Sequence, residues 1–223
     1  MKIFIKDTNV KRILFITLSN IGDVILTIPT LESLHLKYPN AIIDIVGDNR
    51  SRIIFKYCPY MGNFFEKDKN LGLYGILFLL RRLRQQNYDL AVDLRSDALL
   101  YFVKAKNKFF KISNKLGQSL HSVEKHFLSV KKIINVKPPL TNIWLSNHEK
   151  ELSIKIFKEF SKHRALTLGL GANFEGKIWA VSKFICLAEC LKDYFDVIIL
   201  VGDKTDAILS KEFISKYKGK VID

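Results

Sequence analysis

An aspartate follows a glycine directly after an apolar run, in the stretch LFITLSNIGDVILTIPT (14–30). The run is typical of a buried strand, and the residues after it have helical spacing. Asp23 is therefore predicted to lie where a strand passes into a helix. A carboxylate at such a point can act as a general base that takes a proton from a substrate hydroxyl. It can equally be an N-cap or first-turn acid of the helix, and the residues alone leave both interpretations open.

A second candidate lies in LGLGANFEGKIWAVSKF (168–184), where a strand ends at Gly169-Leu170-Gly171 and a helix begins near Val181. Glycine-rich turns and helix N-termini offer free N–H groups to phosphate. Lys177 stands between them and could neutralise a diphosphate, or it could be an ordinary solvated lysine. The stretch is not a Walker A motif, and the first stretch is not GxGxxG. The first stretch therefore does not favour a dinucleotide-dependent dehydrogenase.

Short apolar runs alternate with helical patterns around these motifs, which predicts βαβ units and a parallel sheet. The predicted strands are 12–18, 41–46, 63–67, 89–94, 108–112, 165–170 and 197–202, and KVID at the end is typical of a strand beginning. The predicted helices are 24–37, 49–57, 72–86, 97–105, 123–136, 147–161, 181–194 and 204–217. Pro29 is expected in the first turn of a helix starting near Ile28, or as a kink in one starting at Asp23.

The pair Pro138-Pro139 cannot continue a helix and marks a linker. We therefore predict an N-terminal α/β domain over 1–136, a linker over 137–149 and a second α/β domain over 150–223. The second domain contains fewer strands than a complete Rossmann-like unit, so a partial domain is expected.

The charge of the chain indicates an anionic partner. The net charge is +14 and the pI is about 9.6. Nine lysines and one acid fall between Lys104 and Lys137, and three arginines close the helix pattern before them. Nucleic acid, an acidic membrane surface and a phosphorylated or carboxylated substrate all fit this charge.

The cysteines and the apolar runs indicate a compartment. Cys186 and Cys190 lie four residues apart on a predicted helix and are expected to be small buried side chains rather than metal ligands. No metal site is predicted. The longest uncharged apolar run, 71–80, is shorter than the roughly 20 residues that span a bilayer. A reducing cytoplasm is expected, with the chain soluble or peripheral.

Three segments together carry a resemblance to a known family. The stretch RILFITLSNIGDVILTIPTLESLHLKYPNAIIDIV resembles the amino terminus of the family 9 glycosyltransferases, the heptosyltransferases of bacterial lipopolysaccharide core synthesis. YDLAVDLRSD resembles that family's fourth-strand region, and LGLGANFEGKIWAVSKF with the residues after it resembles its nucleotide-sugar half. The resemblance implies a GT-B-like fold of two Rossmann-like domains that face each other across a cleft.

The resemblance also implies roles for particular residues. The family's catalytic aspartate falls on Asp23, and its donor-phosphate lysine falls on Lys177. Further donor-binding positions fall on Gly171, Ala172 and Asn173, of which Ala172 lacks the hydroxyl that the family often carries there. The acceptor-side loop falls on Ser19, Asn20, Gly22 and Arg95. The family has a further Asp-Ser-Gly…His segment, which the resemblance places beyond Asp223, so a chain truncated in its second domain is expected.

The function implied by the resemblance is inverting transfer of a heptose from ADP-heptose to an acidic lipid-linked sugar of the lipopolysaccharide inner core. No cofactor is implied beyond the nucleotide-sugar co-substrate. Peripheral contact with the anionic inner face of the inner membrane is expected, and nucleic acid is not. A truncated, non-catalytic relative is the second interpretation. A basic nucleic-acid-binding protein is the third, although no helix-turn-helix, RNP or zinc-finger pattern occurs.

Overall fold

A computed structural model describes residues 10–68, 70–95, 98–112, 120–160, 163–172 and 174–223. The predicted site residue Asn173 lies outside the described residues. The chain divides into two compact units, Met1–Leu145 and Ser146–Asp223, and each has its own sheet. Trp144 lies within the predicted linker but packs on the first unit, with ring centroids 5.6 Å from Tyr60 and 6.4 Å from Phe55.

The first unit is built on a five-stranded parallel sheet in the order β3-β2-β1-β4-β5. Its strands are β1 Arg12–Ile16, β2 Ile42–Gly47, β3 Met61–Glu66, β4 Tyr88–Asp93 and β5 Ala105–Phe110. Its helices are α1 Ile21–Ile25, α2 Ile28–Lys37, α3 Arg52–Phe55, α4 Gly72–Leu83, α5 Leu99–Phe102 and α6 Ser122–Phe127. Apolar residues fill both faces of the sheet, as expected when helices cover a parallel sheet on both sides.

The predicted helix over 24–37 is two helices. Pro29 is the second residue of α2 and has no N–H to give to the carbonyl of Ile25, so a continuous helix would lose that bond. At the junction the Thr27 hydroxyl donates to the Val24 carbonyl at 2.7 Å and lies 2.9 Å from the Thr17 hydroxyl. The contact between Thr17 and Thr27 therefore holds the junction of α1 and α2 against the end of β1.

Other predicted helices in this unit are also shorter than the pattern suggested, and the one predicted over 49–57 is a 3₁₀ turn, Asn49–Ser51, followed by α3. The pattern over 123–136 continues as turns after Phe127, although Val130 and Ile134 are buried as its periodicity requires. Beyond the helix several N–H groups bond three residues back, as Val130 N–H does to the Phe127 carbonyl at 3.0 Å. The helix predicted over 97–105 is the short α5, which ends at Phe102, and strand β5 begins at Ala105.

The second unit has three parallel strands in the order β6-β7-β8, and helices follow β6 and β7. Its elements are α7 Asn147–Phe160, β6 Ala165–Leu168, α8 Val181–Cys190, β7 Val197–Leu200, α9 Ala207–Lys216 and β8 Val221–Ile222. The expectation that Cys186 and Cys190 are buried is wrong, since both are exposed. Helix α8 buries Val181 and Ala188 instead.

The Asp44 carboxylate is fully buried within the first sheet. Asp44 accepts hydrogen bonds from Arg12 Nε at 2.9 Å, from the Asn63 backbone N–H at 2.7 Å and from the Tyr88 hydroxyl at 2.9 Å. Burial, together with the Asp44 charge, raises the pKa of Tyr88 far above its usual value, so the phenol is a permanent donor. These bonds join β1, β2, β3 and β4 on one face. Asp44 is thus a structural residue rather than a candidate for chemistry.

Candidate functional site

Asp23 lies just past the carboxyl edge of the first sheet. Strand β1 is tied to both neighbours at that edge: Thr17 N–H donates to the Val46 carbonyl at 3.0 Å, and Leu94 N–H donates to the Ile16 carbonyl at 3.0 Å. The chain then turns through Ser19 and Asn20 into α1. Asp23 is the third residue of that helix and is exposed. The carboxyl edge of a parallel sheet is where ligands bind in open α/β folds.

The helix cap and Asp23 interact through their side chains. Asn20 is the N-cap of α1, but its side chain accepts no hydrogen bond from the helix backbone. Instead, Asn20 Nδ2 donates to Asp23 Oδ2 at 3.1 Å. Asp23 is therefore a first-turn acid of α1 and not its N-cap. Of the two structural roles that the sequence allowed, only that of first-turn acid remains. The bond to Asn20 orients the carboxylate without burying it.

Gly22 leaves space beside this carboxylate. A Cβ built on Gly22 would meet no described atom within 4 Å, and Gly22 does not have a positive φ. The backbone here therefore does not require a glycine for a turn or for close packing with the described residues. What the glycine does provide is open space one residue from Asp23.

Cationic groups lie at the same edge. Arg95 follows β4, which pairs with β1, and its N–H donates to Asp93 Oδ1 at 2.7 Å. The Asp93 side chain is fully buried, so this bond holds the backbone of Arg95 in place just after the end of β4. Arg95 itself is half-buried. Lys111 follows β5, the next strand in the sheet.

Sequence reasoning missed His126, which belongs to the same neighbourhood. It lies on α6, is 7 % exposed, and its Nδ1 has no hydrogen-bond partner among the described residues. Burial lowers the pKa of His126, and the positive charges of Lys111 and Lys125 lower it further. The Asp23 carboxylate acts in the opposite direction, so the two side chains are within electrostatic range. No feature of the sequence indicated this role for His126, because a helical pattern does not show which loops cover the helix.

The predicted donor loop lies in the second unit, between β6 and α8. Gly171 is half-buried and Ala172 is exposed. A single 3₁₀ turn over Glu175–Lys177 follows, and the Lys177 side chain is exposed. Trp179 then packs edge-on against Phe184 of α8, with ring centroids 5.0 Å apart, which anchors the end of the loop. The loop thus presents backbone groups and one cation to solvent.

Asp206, which follows the neighbouring parallel strand β7, shapes this loop and was not singled out from sequence. A Cβ built on Gly171 would overlap the Asp206 carboxylate, and one built on Gly202 would lie 2.7 Å from Asp206 Oδ2. The same carboxylate accepts a hydrogen bond from Asp203 N–H at 3.0 Å. Both glycines are therefore needed for close packing. The spacing of a glycine and an acid four residues apart, GDKTD, was the available signal.

No group of three or more His, Cys, Asp or Glu side chains among the described residues could hold a metal ion. No helix in the described part of the chain is long and apolar enough to cross a membrane.

No protein-family profile matches the sequence, and no curated protein matches it either. Solved structures do match. The chain superimposes on a family 9 glycosyltransferase from Veillonella parvula with a TM-score of 0.77 and 16 % identity, over 95 % of this chain and 68 % of that one. The fold is that of the family 9 glycosyltransferases. The fold class predicted from the sequence, GT-B-like with two Rossmann-like units, is thereby confirmed.

Two heptosyltransferases from E. coli are similar as well. The ADP-heptose lipopolysaccharide heptosyltransferase II matches with a TM-score of 0.69 and 19 % identity, over 92 % of this chain and 68 % of that chain. Heptosyltransferase WaaC, solved with ADP, matches with a TM-score of 0.67 and 17 % identity, over 95 % of this chain and 74 % of that chain. At these identities the likeness concerns the fold, and the chemistry must be argued from residues.

Proposed function

We propose that this chain belongs to an inverting glycosyltransferase that moves a heptose from ADP-heptose to an acidic acceptor of the lipopolysaccharide inner core. The observation that carries the proposal is the exposed Asp23 carboxylate at the end of the central strand β1, beside the space left by Gly22. It occurs in a fold shared with heptosyltransferases, one of which was solved with ADP.

The first unit would hold the acceptor. Asp23 is solvent-exposed and oriented by Asn20, so an acceptor hydroxyl can approach it where Gly22 has no side chain. Arg95 and Lys111 follow the two strands on one side of β1, and their charges suit an acceptor that carries carboxylate or phosphate. Ser19 and Asn20 lie in the loop that leads from β1 into α1, on which Asp23 stands.

The second unit would hold the donor. The loop after β6 offers backbone N–H groups from Gly171 onward, and Lys177 supplies a mobile positive charge. A diphosphate is well matched by such a combination, because N–H groups and a cation both stabilise its negative charge. Asn173, for which the resemblance implies donor contact, remains part of this proposal on that ground alone.

The reaction would proceed in one displacement. The acceptor oxygen attacks the anomeric carbon as the bond from that carbon to the diphosphate oxygen breaks, and the configuration inverts. Asp23 takes the hydroxyl proton as the new bond forms, and ADP departs with the bonding electron pair. Lys177 and the loop N–H groups stabilise the charge that develops on the leaving diphosphate. No metal and no further cofactor takes part in this proposal.

The setting of the reaction follows from the acceptor. A lipid-linked acceptor lies at the inner face of the inner membrane, so we propose a cytoplasmic protein that contacts this membrane peripherally. The basic stretch between Lys104 and Lys137 would face the anionic leaflet, where each lysine near the surface contributes about 1 kcal/mol.

Calorimetric titration with ADP-heptose, followed by detection of released ADP with an inner-core acceptor, tests the proposal. We expect saturable donor binding and acceptor-dependent ADP release, with both absent for a UDP-sugar. Donor binding without release in the presence of acceptor would instead identify a non-catalytic relative. No donor binding, together with salt-sensitive binding of an oligonucleotide, would favour a nucleic-acid-binding protein.

A further inference from the structure

The outward side of α4 is apolar over its first two turns. Tyr74 is 84 % exposed, and Leu73, Leu77 and Phe78 are all more than half exposed. The opposite side of the helix is buried through Leu79, Leu80 and Leu83, so α4 already has a complete contact with the sheet. A surface helix normally places polar residues outside. This row is therefore a contiguous apolar surface rather than the usual single exposed residue.

Arginines follow this row at the end of the helix. Arg81 and Arg82 lie in the last turn and Arg84 is the C-cap, all three of them exposed. The Arg82 guanidinium lies 5.9 Å from the centre of the Phe78 ring. The helix thus carries large apolar side chains along its outward side and three positive charges where that side ends.

A second short helix extends this surface. Arg84 Nε donates to the Phe102 carbonyl at 3.0 Å, which joins the end of α4 to α5. Tyr101 and Phe102 of α5 are exposed, and Lys108 Nζ donates to the Tyr101 carbonyl at 3.2 Å. Neither α4 nor α5 contains an Asp or a Glu. We call the exposed side chains of these two helices, with Arg81 and Arg84, the α4–α5 face.

Acidic residues occur beside α4 but on one flank. Glu66 and Asp68 line a cavity with Gly75 and Leu79. Glu66 lies 3.8 Å from Arg52, which offsets its charge. Phe78 and Arg82 also line this cavity, at the edge of the outward row. Leu73, Tyr74 and Leu77 do not, so the acids face one side of the row only.

We propose that the α4–α5 face docks on an anionic lipid bilayer. Aromatic and leucine side chains would enter the boundary between headgroups and acyl chains, as the apolar side of an interfacial helix does. The arginines at the end of α4 would bind lipid phosphates. The inference deepens the membrane contact of the proposed function, but it rests on other residues than the lysine-rich stretch and does not require donor binding.

The charge pattern favours lipid over a second copy of the chain. A two-fold dimer through this face would place the same surface of each copy against the other, so the arginines of both copies would lie close together. An anionic leaflet pairs those charges instead. Nucleic acid would use the arginines but would gain little from Leu73 and Leu77, because leucines do not provide the planar rings on which bases stack.

Sedimentation with vesicles tests the proposal in the full chain. Vesicles of phosphatidylcholine with phosphatidylglycerol serve as the probe, and phosphatidylcholine vesicles serve as the uncharged reference. The apolar variant is Tyr74→Ser with Leu77→Ser and Phe78→Ser, and the charge variant is Arg81→Gln with Arg84→Gln. The control is Ile208→Ser with Lys211→Gln on α9, an exposed apolar and basic pair in the second unit.

We expect about tenfold or greater weakening of anionic-vesicle binding in both α4 variants and none in the control. A Phe78→Trp variant should show a blue-shifted emission component on anionic vesicles that wild type lacks, which reports insertion directly. Unchanged vesicle binding in the apolar variant, with no such shift, would overturn the proposal. So would a concentration-dependent dimer that the apolar variant abolishes while vesicle binding persists. Loss of oligonucleotide binding in the charge variant without any vesicle binding by wild type would also overturn it.

Discussion

The side-chain amide of Asn20 donates a hydrogen bond to the carboxylate of Asp23 at 3.1 Å, across the first turn of α1. An N-cap side chain usually accepts from the helix backbone, whereas this one donates to an acid. The pair therefore orients an exposed carboxylate at the end of a central strand. This arrangement allows the structural and catalytic interpretations of Asp23 to be separated by substitution.

We expect Asp23→Asn to change the free energy of unfolding by no more than about 1 kcal/mol, because the new side chain can still accept from Asn20. Transfer should fall by roughly 100-fold or more, since an amide cannot take the acceptor proton. Denaturant unfolding and turnover of a complete enzyme measure the two effects. Asn20→Ala is the comparison: it keeps the carboxylate but removes the bond that orients it, so it should lower turnover far less than Asp23→Asn does. Near-normal turnover in Asp23→Asn would make Asp23 a helix residue only.

Lys177→Ala should weaken ADP-heptose binding by about tenfold and slow transfer, because the departing diphosphate loses a cation. Calorimetric titration with ADP measures the binding effect without an acceptor. Lys183→Ala removes another exposed lysine, on α8, and serves as the matched control. Equal affinities in the two variants would return Lys177 to the class of solvated lysines.

His126 should make stability depend on pH. Its pKa is lowered in the folded state, chiefly by burial, so the unfolded chain binds more protons below the ordinary value of 6.5. The free energy of unfolding should therefore be highest above that pH and fall as the pH drops towards the lowered pKa. Asp23→Asn should steepen the fall, because the Asp23 charge opposes the shift.

Urea unfolding measured at intervals between pH 7.5 and pH 5 checks this dependence. His126→Gln should flatten the curve in that range, whereas His148→Gln, at an exposed position on α7, should leave it unchanged. An identical slope in wild type and His126→Gln would show that another group titrates.

Tyr88→Phe should lower the free energy of unfolding by about 1–2 kcal/mol, because the buried Asp44 carboxylate loses one of its donors. Tyr101→Phe removes a hydroxyl from an exposed ring and should change stability by less than about 0.5 kcal/mol. Thermal unfolding of the two variants gives the comparison. Equal stabilities would mean that water or Arg12 replaces the lost bond.

The alternation of apolar runs and helical patterns was sufficient to predict the strands and a parallel α/β sheet, because a strand buried on both faces leaves a distinct apolar run. The position of Asp23 followed from the same logic. The GT-B-like fold class came from the family resemblance. The division of the helix predicted over 24–37 into two depended on the backbone hydrogen bond that Pro29 cannot make. The sequence left open whether Pro29 lies in the first turn of a second helix or kinks a single one. His126 and Asp206 could not be foreseen, since their surroundings come from elements distant in sequence. The same holds for the outward side of α4, because an apolar run does not show which of its residues the sheet covers.

Gly171, Gly202 and Asp206 also constrain how this chain can change over time. A side chain at Gly171 would meet the Asp206 carboxylate, so a replacement there becomes acceptable only after that carboxylate is lost. A side chain at Gly202 would also lie 2.9 Å from Asp206 Cβ, so it would crowd residue 206 even if that residue were alanine. Among divergent relatives, Gly171 should therefore be replaced only where the acid at 206 has already been lost, and Gly202 should be retained more widely.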